Sequence, residues 1–516
     1  MSGFTVRDFA ARFVVGTFLA SNGQLVLAED TSDKTPPQET MRAMQQRIDE
    51  LQREVDALKN KPQSADTPAT ADPGAKPSDN PPPNHIVREK EAAATPKTDK
   101  PPSLTWHGIT LYGTVDIGIA YLTHGALLSQ TYSGSLPFFI QRYSNHPMTS
   151  IASNGLSQSK VGLSGVEPII DGLTGVFKLE TGFNPHSGRL SDGPASLVAN
   201  NGVPLNRQVT ASDSSRAGQA FQGGAYAGLS STTFGTLTFG RQNSPMADNL
   251  AKYDPQAQSS AFSPIGFSGV SGGLGDTEDK ALDNVVKYVA AYGPGRIAVM
   301  YQFGSAGAIP EGGEEFDIGA DVGGFSVDAL YGRIHGAVSV ASLTAAQNAV
   351  APGTLAATVS DNSGYSVQAS YTMRPVKFYA GYERITYENP AHPIANGSTD
   401  IGGYVLSTVN NTAYTIHRIL EIGWTGARYS ITPRFDMAIA YYWYDQNSYA
   451  ANHCSNTSAS SCSGKLNYAS LVSDYRLTKR FDAYAGISYS SVTDGLASGF
   501  LNNTDWAPMI GVRFNF

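Results

Sequence analysis

Between Trp106 and Phe516, apolar and polar or small residues alternate in stretches of about ten. In LYGTVDIGIAY, Leu111, Gly113, Val115, Ile117, Ile119 and Tyr121 share one face, opposite Tyr112, Thr114, Asp116, Gly118 and Ala120. In VFKLETGF, Phe177, Leu179, Thr181 and Phe183 lie opposite Lys178 and Glu180. A period of two is the signature of a β-strand with two different environments. Sixteen such segments begin near Ile109, Lys160, Gly175, Ala225, Thr236, Val285, Arg296, Glu315, Phe325, Tyr365, Val376, Tyr414, Phe435, Leu466, Phe481 and Pro508.

The connections alternate in length. Short ones (Glu167–Gly172, Ser231–Gly235, Tyr292–Gly295, Gly323–Gly324, Met373–Pro375, Arg428–Pro433, Leu477–Arg480) separate long ones near 123–156, 184–222, 243–283, 304–314, 336–361, 388–412, 447–463 and 494–506. An antiparallel meander with all turns at one end and all loops at the other gives this order, and a membrane β-barrel is such a meander. In lipid every backbone polar group needs a partner, so the sheet has to close. Sixteen strands enclose an aqueous lumen, not a packed core. The expected fold is therefore all-β, with the barrel at 104–516. The terminal MIGVRFNF fits as the closing strand, with Ile510, Val512, Phe514 and Phe516 toward lipid.

Composition agrees. Of 516 residues, 53 are Gly, 26 Tyr and 22 Phe, and only 16% are charged. Mean hydropathy is −0.22, as expected when one strand face and the loops are wet. No run of 18 apolar residues is present, so no membrane-spanning helix is expected. A net charge of −8 argues against nucleic acid as a partner.

The first 103 residues read differently. Arg7 and Arg12, the apolar FVVGTFLA and Val26-Leu27-Ala28, with small or modest residues at −3 and −1 before Glu29, read as a secretory signal over 1–28. Within 29–60, Met41, Met44, Ile48, Leu51, Val55 and Leu58 follow 3-4 spacing, a short coiled-coil seam. It is too short to be stable alone, but copies brought together by another domain would support it. Residues 61–103 are a Pro-rich linker with no core-forming pattern, reaching roughly 100 Å if extended at ~3.1 Å per residue. Export implies an oxidising compartment, where Cys454 and Cys462 are expected to form a local disulfide. A metal pair has no further ligand beyond His453.

LYGTVDIGI, SKVGLSG, GLTGVFKLETGF, GGAYAGLSSTTFGTLTFGRQ, DNVVKY, SDYRLTKRFDAYAGISY and GVRFNF, in this order, resemble the general diffusion porins of Gram-negative outer membranes, of the sixteen-stranded trimeric type. The resemblance implies an outer-membrane channel for small hydrophilic solutes and a homotrimer. It also implies that the terminal Phe516 is read by the outer-membrane assembly machinery. It places a constriction where an acidic third loop faces a basic wall. The third long connection carries Asp248, Asp254, Asp276, Glu278 and Asp279; the wall positions that match the family are Lys160, Arg241, Asp116, Glu180 and Lys287, with Lys178 beside them. Ser164 and Ala281 stand where the family often has a basic residue, so the basic ladder is thinner. Strict alternation puts Arg241 on the face of Leu237 and Phe239, and a bulge is needed to turn it inward.

Opposed charges across a narrow wet gap order water and filter solutes by charge, while width filters by size. No bond is made or broken, so no cofactor or catalytic group is expected; His335 and His417 sit in no catalytic motif. Two other readings stand beside the general porin. One is a sugar- or anion-selective channel, the sugar track being Tyr414, Trp424, Tyr442, Trp443 and Tyr444. The other is an envelope tether, in which the 29–60 coil contacts peptidoglycan from the periplasm.

Overall fold

The computed structural model describes residues 104–516 except 125–146, 205–206, 209–216, 266–268, 277–279, 450–459 and 499–500. The signal, coil and linker therefore lie outside the described residues. Sixteen antiparallel strands close into a barrel: β1 Ile109–Leu122, β2 Lys160–Ile170, β3 Leu173–Asn184, β4 Gly224–Ser231, β5 Gly235–Asn243, β6 Ala281–Tyr292, β7 Gly295–Gln302, β8 Gly312–Val322, β9 Phe325–Ala341, β10 Leu355–Met373, β11 Val376–Glu388, β12 Arg418–Thr432, β13 Phe435–Gln446, β14 Gly464–Arg476, β15 Phe481–Asp494 and β16 Thr504–Asn515. Each strand pairs with its neighbour in sequence, and β16 pairs with β1 from Thr114↔Asn515 to Ala120↔Met509. Phe516 extends the seam: its N–H donates to the Gly113 carbonyl and its carbonyl accepts from Gly113, both at 3.0 Å.

Alternation sorts the two faces. On β8, Phe316 and Ile318 are exposed, whereas Glu315 and Asp317 are buried inside. On β16, Ile510 is 60% exposed beside Val512 and Phe514, as the lipid-facing reading of MIGVRFNF requires. An outward apolar band with an inward polar one is what a spanning barrel needs. No helix among the described residues is long and apolar enough to cross a membrane.

Two strands run longer than the alternation suggests. β9 and β10 continue past a register shift between Ile334 and Ala337. Beyond it, Val338, Val340, Leu355 and Ala357 are buried against Leu197 and Ala217 of the 184–223 connection and Ile401 and Leu406 of a small hairpin at 398–410. Much of the loop expected at 336–361 is thus paired sheet. The small apolar residues that blurred its pattern face a local core instead of lipid.

Candidate functional site: the loop-lined pore

The connection after β5 supplies the inner fitting of the barrel. Ser244 caps a helix, α1 Pro245–Tyr253, by accepting the Ala247 N–H at 3.2 Å, and Pro245 occupies a first-turn position. Both are standard helix starts. Asp248 falls in the first turn, where a carboxylate suits the helix dipole.

This third loop is fastened to the wall at several points among its described residues. The Met246 N–H donates to Glu315 at 2.9 Å. Tyr253 Oη meets Asp328 at 2.5 Å, and Trp424 Nε1 donates to the Tyr253 carbonyl at 3.0 Å. Further on, Tyr468 and Ser470 donate to the carbonyls of Ala261 and Phe262, each at 2.7 Å. Leu250, Phe262, Ile265 and Val270 pack against inner-wall tyrosines Tyr442, Tyr444 and Tyr468 and against Trp424. Full burial of one such apolar side chain contributes roughly 1.5–3 kcal/mol, so the loop behaves as part of the wall.

The anchoring reassigns several expected pore residues. Asp254 is buried; it accepts Tyr442 Oη at 2.5 Å and the backbone N–H groups of Gln256 at 3.0 Å and Gln258 at 2.9 Å. Burial pushes its carboxyl up, opposed by the Tyr442 and Ser263 hydroxyls and the two backbone donors. Asp254 is therefore a fastening, not an aperture charge. Asp116 is likewise fully buried: it accepts Tyr484 Oη at 2.7 Å and the N–H groups of Leu156 and Ser157, both at 2.9 Å, tying the first connection to the wall. Arg241 follows the register irregularity between Gly240 and Gln242. It pairs with Asp283 at 2.8 Å and donates to the Gln222 carbonyl at 3.1 Å; it does not line the large cavity. The sequence pattern marked the need for a bulge there, but the partners it reaches are loop-root groups. Asp276 is half-buried near the loop's end. Glu278 and Asp279 lie outside the described residues.

Other expected residues do converge. Glu180 accepts from Lys160 Nζ, Lys178 Nζ and Tyr112 Oη, each at 3.1 Å. Lys287 Nζ reaches from the wall to Asp248 of the loop helix at 2.9 Å. A cavity of about 1110 Å³ opens on the turn side of the loop, lined by Lys178, Asp248 and Lys287 among others. Sequence reading passed over two further cations on this cavity. Arg296 Nη2 binds Asp328 at 2.7 Å and Nη1 binds Asp321 at 2.9 Å; Lys252 of α1 joins Asp328 at 3.2 Å. Burial pulls the Lys252 ammonium down, opposed by Asp328. Their signal was present, since Arg296 is inward on β7 and Asp321 and Asp328 flank a Gly-Gly turn, but no quoted family motif covers them.

The aromatic track does not face the open lumen. Trp424, Tyr442 and Tyr444 are buried beneath the loop, Tyr414 packs near Tyr449, and Trp443 lies tilted against Tyr382 elsewhere on the wall. Cys462 is disulfide-bonded; Cys454, the chain's other cysteine, lies outside the described residues.

A closed barrel with an apolar outer band, a polar interior and an inward loop is a membrane channel scaffold. The chain belongs to the Gram-negative porin family, whose model matches residues 91–495. It is 26% identical to an outer membrane porin protein of Bordetella pertussis over 313 residues, 58% of this chain and 71% of that one. Among solved structures it is similar to the anion-selective porin from Comamonas acidovorans, with a TM-score of 0.52 and 18% identity over 79% of this chain and 99% of that chain. It is also similar to a loop-deletion form of OmpT from Vibrio cholerae, with a TM-score of 0.50 and 16% identity over 79% of this chain and 99% of that chain. The protein is thus an outer-membrane porin, a multi-pass β-barrel forming a channel.

Proposed function

We propose that small hydrophilic solutes cross where the loop helix bearing Asp248 faces the wall cluster of Lys160, Lys178, Glu180 and Lys287, and that this gap sets charge and size selection. The observation that carries the reading is the Lys287–Asp248 bridge of 2.9 Å, which joins loop to wall beside the lumen cavity. The two charges are in direct contact, and their field extends into the cavity beside them, where it acts on passing solutes without binding them tightly. A sugar channel is disfavoured, because Trp424, Tyr442 and Tyr444 of its track are buried beneath the loop. The test is reconstitution in a planar bilayer, recording conductance and reversal potential across a KCl gradient. Ohmic openings with weak selectivity support the reading, and Lys287→Gln should change the reversal potential. A heat-modifiable, folded protein without conductance would sink it.

The protein acts as a homotrimer on this reading, with openings expected in groups of three. Phe516, pairing with Gly113 at the seam, is proposed as the residue that the assembly machinery reads. Its deletion should lower the outer-membrane yield more than it lowers folding in detergent. Residues 29–60 are proposed as a periplasmic coil that supports the trimer or contacts peptidoglycan.

A further inference from the structure

The loop helix meets the wall twice, with opposite sense. Asp248 and Lys252 stand four residues apart on α1. On a helix surface such a carboxylate and ammonium are neighbours that commonly pair with each other. Here each turns away to the wall. Asp248 binds Lys287 of β6 at 2.9 Å, and its other oxygen accepts the Asn243 side-chain amide at 3.2 Å. Lys252 binds Asp328 of β9 at 3.2 Å and approaches Asp321 of β8 at 3.8 Å. Arg296 also reaches both carboxylates, yet two carboxylates against one guanidinium leave that patch of wall acidic. The first bridge therefore sets a negative helix charge against a positive wall, and the second a positive helix charge against a negative wall. The second lies nearer the turns, since Asp321 and Asp328 flank Gly323–Gly324 while Lys287 is in mid-β6. Only the first bridge has the sense of an acidic loop facing a basic wall. Asp248, Lys252, Lys287 and Asp321 all line the large cavity. The side chains of Asp248 and Lys252 are 27% and 21% exposed, so each, though paired, keeps an open side toward passing solute.

Two ion pairs of opposite sense largely cancel at a distance and act only close by. An ion drawn to one helix charge is repelled by the other, one turn further on. Four residues of α-helix rise about 6 Å. A solute that carries both charges at that separation escapes the opposition: its ammonium meets Asp248 while its carboxylate meets Lys252. An extended dipeptide spans at most about 7 Å, so its free ends match the turn. The two charges of an α-amino acid, held on one carbon, do not. We propose that Asp248 and Lys252 form a recognition step in the lumen for zwitterionic solutes of dipeptide length, with Lys252 as the specificity-determining residue. The proposal rests on the channel reading and names a solute class for it.

The test reconstitutes the full-length protein in liposomes and reads osmotic swelling at neutral pH, with glycylglycine and with its uncharged counterpart N-acetylglycinamide. The ratio of the two rates cancels differences in the number of open channels. For native protein the expected ratio is about two- to fourfold in favour of glycylglycine, the size that one unit charge at about 5 Å supports in a water-like medium. Lys252→Gln should bring the ratio close to one, and Lys252→Arg, which keeps the charge, should restore it. Asp328 retains Arg296 and Tyr253 as partners in both variants. A native ratio of one, or the same ratio in native protein and Lys252→Gln, overturns the zwitterion step alone. Absence of N-acetylglycinamide swelling with folded, heat-modifiable protein overturns the channel reading together with it. Should Lys252→Gln fail to give the folded form, native protein decides through alanine and its uncharged isomer lactamide, the same comparison with both charges on one carbon. An alanine-to-lactamide ratio well below the glycylglycine ratio supports the proposal, and equal ratios overturn it.

Discussion

Leu274 of the third loop occupies the space that a side chain on Gly364 would need. A Cβ on Gly364 would lie 2.8 Å from Leu274 Cδ2, and one on the neighbouring Gly332 would lie 2.5 Å from Cδ1. Two glycines that pair across β9 and β10 therefore form the notch that seats the loop. Gly364→Val suits a strand, so its cost, about 1–3 kcal/mol for overpacking, falls mainly on the loop contact, with a smaller part on the Arg384 carbonyl at 3.3 Å. The expected outcome is a folded, heat-modifiable barrel with noisier single-channel current. Adding Leu274→Ala should restore quiet openings, and an interaction energy near zero in that double-mutant cycle would contradict the notch.

Asp254 makes the docking of the loop sensitive to pH. Its carboxyl lies above the ordinary value of 3.8 because it is buried. A carboxyl with a raised folded-state value holds its proton more tightly in the docked loop than in an undocked one. Docking is therefore favoured as pH falls toward the ordinary range, and that contribution is lost as pH rises through the shifted value. Asp254→Asn should flatten this dependence at a cost on the order of 1 kcal/mol, the worth of one weakened hydrogen bond. Thermal loss of the heat-modifiable form, followed from pH 4 to 8, reads both effects.

Glu180 sets the sign of the wall near Lys160 and Lys178. Glu180→Gln removes one negative charge while its side-chain oxygen can still accept from Tyr112. At ~5 Å in a water-like medium one unit charge contributes about 0.8 kcal/mol, less after screening. Anion-to-cation permeability should rise roughly two- to fourfold, seen as a shift of reversal potential in a KCl gradient. An unchanged reversal potential would remove Glu180 from the filter.

Deleting residues 29–103 tests the amino-terminal segment apart from the channel. The barrel closes through β1 and β16 alone, so unitary conductance should stay within about 20% of native, since lumen geometry sets it. Loss of trimers in mild detergent would assign the coil to assembly. Intact trimers with weaker retention on isolated peptidoglycan would assign it to the cell wall.

The wall was legible from sequence and the loop was not. Alternation located the strands because lipid on one side and water on the other impose a period of two on every strand, as at Phe316 and Glu315 or Phe514 and Arg513. It faltered at β9 and β10 beyond the membrane, where Val338 and Leu355 meet protein, and one strand face no longer contacts lipid. The loop follows other rules. Ser244 and Pro245 start a helix, but nothing local tells that Asp254 turns into the wall while Asp248 stays at the lumen. That depends on Tyr442, 188 positions away. Charge identity alone could not separate a filter from a fastening.

The closing seam also fixes when the protein can become stable. Thr114 bonds Asn515 at a sequence separation of 401, so the last ladder forms only once β16 has been delivered beside β1. Until then the sheet has two bare edges, each a row of unpaired donors and acceptors open to a wrong partner. Contacts this distant in sequence also make folding slow, because chain entropy is lost before they form. The barrel therefore matures late and all at once, and the period before closure is when the chain most needs protection from its own kind.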